Sequence, residues 1–187
     1  MAINPVVCYS GPGTGEFGVE PERDGHARFV RETLLAGIRH QRRGELQSAA
    51  EHYYRALEAA PVDAETLHLL GLLSCQMQDR ESAVRLIQKA IEIDPTNAVL
   101  FVSLGEVFRT EYDYERALAC YKQAMTLDPN LADPYFHCGT VWRALGQLEE
   151  AMVFLRHALA VRPGFAEAHC VLGEVLAALG RRKEACA

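Results

Sequence analysis

Apolar residues recur along most of the chain three or four positions apart, which is the spacing of an amphipathic helix. Phe101, Leu104 and Phe108 share one face of such a helix, and Ala117 and Tyr121 share one face of the next. Side chains at this spacing fall on the same side of a helix, whereas a half-buried strand would need alternate positions. The pattern therefore predicts successive pairs of amphipathic helices and an all-α fold.

Four sets of small or helix-breaking residues recur at intervals of 34 residues. They are Pro61, Pro95, Pro129 and Pro163; Gly37, Gly71, Gly105, Gly139 and Gly173; Ala49, Ala83, Ala117, Ala151 and Ala185; and Ala56, Ala90, Ala124 and Ala158. A fixed period of this length indicates stacked structural repeats. With proline at position 32, the repeats are 30–63, 64–97, 98–131 and 132–165, followed by a partial repeat, 166–187.

Glycine and short polar residues mark the limits of the predicted helices. Gly44, Gly146 and Gly180 fall between the two helices of a repeat, where the turn needs a residue that tolerates a positive φ. The proline at position 32 stops the second helix because it has no amide donor. Asp63 and Asn97 then precede the next helix, and their side chains suit its N-cap.

The recurring positions resemble the tetratricopeptide repeat over residues 30–187. The fourth repeat shows the motif in Tyr135, Cys138, Gly139, Trp142, Ala151, Leu155, Ala158 and Pro163. The resemblance implies a right-handed superhelical solenoid of antiparallel helix pairs over residues 29–187, with the first helices lining a concave groove. The tripeptide Leu-Gly-Glu, at 104–106 and again at 172–174, also resembles sequences of the repeat arrays that precede catalytic domains in bacterial glycosyltransferases, sulfotransferases and methyltransferases.

Residues 1–28 are expected to form a flexible or extended arm outside the array. Glycines and prolines are frequent in residues 1–25 and disfavour a long helix there. The stretch 13–18 reads GxGxxG, but Pro21 follows and no strand–helix–strand unit continues it, so no nucleotide site is expected.

Composition and charge narrow the function. The net charge is −6 with a pI near 5.6, which disfavours nucleic acid as a partner. No run of 18 apolar residues indicates membrane insertion, and no secretory signal is readable, so a cytoplasmic location is expected. The six cysteines form no CxxC motif, and no catalytic motif is present. We therefore expect no catalytic residue, no cofactor and no metal site.

The family resemblance places groove-facing side chains at positions 2, 5, 9, 12 and 13 of each repeat. In this chain they are Arg31, Leu34, Ile38, Gln41 and Arg42; Glu65, His68, Leu72, Cys75 and Gln76; Val99, Val102, Glu106, Arg109 and Thr110; and Asp133, Phe136, Thr140 and Arg143. The apolar members form a strip that would contact aliphatic or aromatic side chains of a bound peptide.

Arg109 and Arg143 follow one another at position 12 and allow two interpretations. They form a clamp for a carboxylate or a backbone carbonyl of a partner, because guanidinium groups bind carboxylates with two hydrogen bonds. Alternatively, they pair with Glu106 and Asp133 of the chain itself. The first alternative predicts a partner peptide that carries both a carboxylate and apolar side chains.

The sequence thus predicts a non-catalytic scaffold that binds a peptide or partner segment in its groove. Two alternatives remain at this point. One is the substrate-recruiting region of a larger bacterial transferase whose catalytic domain lies outside this chain. The other is a chaperone or assembly factor for a secretion or envelope complex.

Residues 166–187 are predicted to mediate self-association or to be covered by a further repeat or domain. The segment 171–179 is apolar around most of its circumference, and the stub 181–187 has little apolar surface to cover it. Light scattering coupled to size exclusion should therefore show a species larger than a monomer, or strong binding of a hydrophobic dye. A clean monomer at tens of micromolar with little dye binding would contradict this.

Overall fold

The computed structural model of the chain describes residues 21–180, with side chains from residue 25 onward, and all regular structure in this range is α-helical. The helices are α1 (Pro21–Arg42), α2 (Leu46–Ala59), α3 (Ala64–Gln76), α4 (Arg80–Ile93), α5 (Ala98–Thr110), α6 (Tyr114–Leu127), α7 (Ala132–Ala144), α8 (Leu148–Val161) and α9 (Ala166–Ala178). The GxGxxG stretch and the stub 181–187 lie outside the described residues.

Consecutive helices pack in antiparallel pairs that match the predicted repeats. The pairs α1/α2, α3/α4, α5/α6 and α7/α8 make the most extensive contacts, and α9 is the first helix of the partial fifth repeat. Second helices also contact the first helix of the following repeat. The prediction of an all-α helical repeat solenoid is confirmed.

The first helices of the repeats form the inner wall of the solenoid. Within residues 21–180, α3 contacts α5, α5 contacts α7 and α7 contacts α9, whereas no two second helices touch to a comparable extent. Layers that are closer together on one side than on the other curve toward that side. The odd-numbered helices therefore line the concave surface, called the groove below.

Local backbone chemistry fixes the helix limits as the sequence indicated. The φ angles of Gly44, Gly146 and Gly180 are 77°, 77° and 72°, in the left-handed region that glycine adopts without strain. The carboxylate of Asp63 accepts a hydrogen bond from the amide of Thr66 at 2.8 Å. Asn97 caps α5 in the same manner, and these bonds satisfy amides that have no partner within the helix.

The first helix begins eight residues before the predicted start of the array at residue 29. Residues 21–28, which the sequence analysis assigned to the arm, are helical. Pro21 suits the first position of a helix because its amide would have no partner there. The ring Nε2 of His26 donates a hydrogen bond to the carbonyl of Ala59 at 2.9 Å, which joins this extension to α2.

A glycine at position 8 allows the two helices of each full repeat to approach closely. A Cβ atom at Gly105 would lie 2.5 Å from Cε1 of Tyr121, closer than real Cβ contacts. Gly37 faces Tyr53 in the same manner. The side chain opposite the glycine is therefore the one at position 24 of the repeat. Tyr121 is fully buried, so it has little room to move.

The terminal helix α9 is only partly covered by α8. Val175 and Leu176 are buried, whereas Val171 and Leu172 are half-buried. Residues 181–187 lie outside the part of the chain that the structure describes, so self-association through 166–187 stays a prediction.

Replacing Gly105 by alanine should lower the free energy of unfolding by roughly 1–3 kcal/mol, because the new methyl group overlaps the buried ring of Tyr121. Urea or thermal unfolding followed by circular dichroism measures this change. Gly164→Ala is the matched control, since a Cβ there would meet nothing within 4 Å. Equal effects of the two substitutions would show that the glycine column does not set the helix spacing.

Candidate functional site

Most of the predicted groove residues lie on the concave wall with exposed or half-buried side chains, but two do not. Leu34 and Val102 are only 7% and 9% exposed. Leu34 packs with Leu70 and Leu73 of the next repeat, and Val102 packs with Ala124. Position 5 therefore contributes mainly to contacts between helices, although the small exposed parts of Leu34 and Val102 still reach the walls of depressions in the groove.

The continuous apolar strip predicted for the groove is also interrupted. Ile38 is half-buried against the core of the first repeat, and the ring of Phe136 packs on that of Phe165 with centroids 4.8 Å apart. Val99 remains 48% exposed, and Leu72 is half-buried. The apolar surface available to a ligand is thus divided into separate patches.

Three depressions lie along the groove, at the first three of the four junctions between consecutive inner helices. The first, of about 690 Å³, lies between α1 and α3 and is lined by Val30, Leu35 and Ile38 together with Arg31. The other two are smaller, at about 210 Å³ and 130 Å³. The second depression, between α3 and α5, is lined by Leu72, Cys75, Gln78, Arg80, Ser103, Glu106, Val107 and Thr110. The third, between α5 and α7, is lined by Val99, Val102, Leu131, Asp133 and His137.

Arg109 and Arg143 do not form a free pair for a carboxylate. The Nε and Nη2 atoms of Arg109 donate to the two carboxylate oxygens of Glu106 at 2.8 and 2.9 Å. Arg143 pairs with Glu174 of the next repeat. The alternative that Glu106 pairs with Arg109 is therefore correct, whereas Asp133 accepts instead from Arg162 at 2.9 Å.

Glu106 is the centre of a polar cluster in the middle of the groove. Besides Arg109, the hydroxyl of Tyr121 donates to its Oε1 at 2.5 Å, and Nδ1 of His137 lies 2.9 Å from the same oxygen. The rings of Tyr121 and His137 stack with centroids 5.4 Å apart. Three donors thus converge on Oε1, while Oε2 receives one bond from the described residues, that of Arg109.

This cluster was not predicted, because its members come from four helix positions in two repeats. Tyrosine at position 24, opposite a glycine, is the sequence signal that indicates it. The same arrangement occurs in the first repeat, where the hydroxyl of Tyr53 donates to Gln41 at 2.7 Å. Gln41 in turn donates to Gln76 at 3.0 Å and so links the first two repeats across the groove.

The cluster keeps Glu106 ionised. Burial alone would raise the pKa of its carboxyl group, but the hydrogen bonds from His137, Arg109 and Tyr121 outweigh burial and hold the pKa well below its usual range. Burial and the neighbouring Glu106 carboxylate raise the pKa of Tyr121. The groove therefore holds a fixed carboxylate whose charge is matched by Arg109.

The thiols of Cys75, Cys120 and Cys138 are poor nucleophiles. Burial raises the pKa of Cys138 to about 12 and that of Cys120 to about 11, and it also raises the pKa of Cys75. A thiol with such a pKa stays protonated at neutral pH.

In the part of the chain from 21 to 180, no helix is long and apolar enough to cross a membrane.

Glu106→Gln should lower the free energy of unfolding at pH 7 by roughly 1–3 kcal/mol, because charge-assisted hydrogen bonds to Arg109, Tyr121 and His137 are weakened. The carboxyl pKa is depressed in the folded state. Its stabilisation is therefore complete above the ordinary glutamate pKa of about 4.3 and is lost as the pH falls below it.

Urea unfolding at pH 7, 4 and 3 measures the effect. The difference between wild type and Glu106→Gln should shrink on acidification. Glu92→Gln is the control, since Glu92 is exposed and makes no ion pair with any described residue. A difference that stays constant from pH 7 to pH 3 would contradict the assignment.

Two stretches match family models. Residues 64–97 match a tetratricopeptide repeat and coincide with the predicted second repeat, and residues 113–143 match a TPR repeat. A search of the curated proteins found no match.

Solved structures of similar architecture cover most of the chain. The crystal structure of MamA is 25% identical, with a TM-score of 0.68 over 80% of this chain and 88% of MamA. A thermophilic TPR protein of Thermus thermophilus is 24% identical, with a TM-score of 0.70 over 83% of this chain and 86% of that one. PilF of Pseudomonas aeruginosa is 19% identical, with a TM-score of 0.76 over 83% of this chain and 71% of PilF.

The family matches, the 34-residue period and the paired helices agree. Repeats of this kind are typically non-catalytic and mediate contacts between proteins, and the comparisons support such a scaffold role here. The chain is a tetratricopeptide-repeat protein.

Proposed function

We propose that this protein binds an extended segment of a partner protein in its groove, without catalysing a reaction. The observation that carries the proposal is the row of three depressions at the successive junctions α1/α3, α3/α5 and α5/α7. A segment that crosses the repeats would place successive side chains in these depressions. This is how extended peptides obtain specificity from alternate side-chain pockets.

The sizes of the second and third depressions favour side chains over a small molecule. The second and third, at about 210 and 130 Å³, are below the usual range of roughly 300–1,000 Å³ for small-molecule sites. Leu72 and Val107 supply apolar walls to the second depression, and Ser103, Glu106 and Thr110 supply polar atoms around them. An aliphatic side chain flanked by peptide groups fits this combination.

Polar groups along the groove suit the backbone of such a segment. The amides of Gln41 and Gln76 are bonded to each other through only part of their donor and acceptor capacity. Oε2 of Glu106 has spare acceptor capacity beside the second depression. Backbone amides and carbonyls of an extended segment would find both acceptors and donors here.

The carboxylate of the partner is best received by Arg31. Arg109 and Arg143 are both paired with glutamates of the chain itself, so they are less available to a partner's carboxylate than the sequence suggested. Arg31 is exposed, lines the first depression beside Val30 and Ile38, and makes no ion pair with any described residue. The first depression thus combines an apolar floor with a guanidinium group that no described residue pairs, while Asp63 and Glu65 line its opposite side.

The other interpretations stay predictions. No curated protein and no matched family model connects the chain to a transferase or to a secretion or envelope complex. A cytoplasmic location is likewise an expectation from the sequence alone.

Peptides selected from a displayed library on the full-length protein should lose affinity for Leu72→Glu by about tenfold or more, because a carboxylate would replace the apolar wall of the second depression. Calorimetry with the selected synthetic peptides measures the change. Val153→Glu is the matched control, since Val153 is exposed on α8 of the outer wall. Equal loss in both variants, or in neither, would exclude the groove as the binding surface.

The same peptides test the role of Arg31. Where the selected sequences share an acidic residue, Arg31→Ala should weaken binding about 5- to 100-fold, whereas Arg109→Ala/Arg143→Ala should weaken it less. The reverse order would place the carboxylate at position 12.

A further inference from the structure

The turns between the two helices of each repeat share one backbone conformation. The residue at position 15 has a positive φ in all five, and three of them have glycine there. The third turn has Tyr112 with a φ of 60°, and the second has Gln78 with a φ of 66°. Left-handed backbone geometry is unfavourable for residues with a Cβ atom, so these two turns are strained relative to the three turns that have glycine at this position.

Two adjacent residues of the third turn are unfavourable at the positions that they occupy. Tyr112 occupies the left-handed position, and Glu111 is the C-cap of α5, where the helix dipole disfavours a negative charge. The second turn has a compensating contact, because Gln78 accepts a bond from Arg80. The side chain of Tyr112 is 78% exposed, and its hydroxyl bonds to no described residue. Among the described residues, its ring contact is the edge-to-face one with Tyr114.

Tyr112 belongs to a row of accessible apolar side chains along the turns. The half-buried ring of Tyr114 meets that of Tyr112 edge to face at 6.2 Å. Met77 in the preceding turn is 42% exposed, and Leu145 in the following turn is 45% exposed. We name these four residues the turn edge. It lies at the ends of the helices, beside the end of the second depression that Gln78, Arg80 and Thr110 line.

The charges around the turn edge are negative and unpaired. Glu111 and Glu115 are exposed and make no ion pair with any described residue. Of the cations nearby, Arg116 pairs with Asp113 at 2.6 Å and lies 4.3 Å over the ring of Phe108, and Arg80 bonds to Gln78 in the preceding turn. Tyr112 and Tyr114 are thus flanked along the chain by two carboxylates that form no ion pair with any described residue. Aromatic faces and carboxylates together attract arginine and lysine.

We propose that the turn edge is a second interaction surface, which binds an arginine- or lysine-containing segment of a partner protein. The cation packs on Tyr112 and Tyr114 between Glu111 and Glu115, and apolar side chains on either side cover Met77 and Leu145. Neighbouring helices lie about 8–10 Å apart, and an extended chain advances about 3.3 Å per residue. The apolar residues therefore stand three positions before and three positions after the cation.

This arrangement defines a probe peptide, acetyl-Leu-Ser-Ser-Arg-Ser-Ser-Leu-amide. Added to the ¹⁵N-labelled full-length protein, it should produce saturable shifts of the amides of Met77, of residues 111–115 and of Leu145. The peptide with glutamate in place of arginine should not. The titration extends to about 5 mM, where even a millimolar complex is mostly formed.

Tyr112→Gly separates binding from stability. This variant removes the strain at the left-handed position, so its thermal midpoint should rise, while the saturable shifts are lost. Tyr112→Phe should keep both the binding and the midpoint of wild type. Leu72→Glu should keep the shifts at the turn edge, which distinguishes this surface from the groove.

Several results would overturn the proposal. They are an absence of saturable shifts at the turn edge, equal shifts from the arginine and glutamate peptides, and shifts confined to the groove. A thermal midpoint that falls in Tyr112→Gly would show that the tyrosine is kept for stability instead.

Discussion

The structure depends on the absence of a Cβ atom at position 8 of each repeat. At Gly37, Gly71, Gly105 and Gly139, the side chain from position 24 of the second helix occupies the space in which a methyl group would stand. The glycine sacrifices helix propensity of roughly 1 kcal/mol relative to alanine. Close packing of two helices along their length offsets this, so the pairing geometry is the same in all four repeats.

The same contact shapes the groove. In the first and third repeats the buried side chain is tyrosine, and its hydroxyl passes beneath the glycine to reach Gln41 or Glu106 on the inner wall. In the second and fourth repeats the equivalent side chains are Ile87 and Leu155, which bring no polar atom. The core therefore determines where the groove has fixed hydrogen-bonding groups, and these alternate along the array.

The sequence could predict the parts of the fold that depend on local chemistry. The period, the helix pairs, the glycine turns and the caps at Asp63 and Asn97 follow from single residues and their spacing. The burial of Leu34 and Val102 could not be predicted in this manner, because it depends on how far neighbouring repeats rotate relative to one another. Ion pairs such as Arg143 with Glu174 depend on the same rotation. The early start of α1 was missed because proline was interpreted as a breaker, although it is well tolerated at the first position of a helix.

The extra turns of α1 have a consequence for how this array can be cut or fused. The hydrogen bond from His26 to the carbonyl of Ala59 serves the C-terminal end of α2, and Ala27 and Val30 form part of the wall of the first depression. A boundary drawn at residue 30, the first of the repeat, would remove His26 with its hydrogen bond and Ala27 from the end of that wall. The folded domain thus begins before the first residue of the first repeat, and a minimal version of this domain has to include the start of α1.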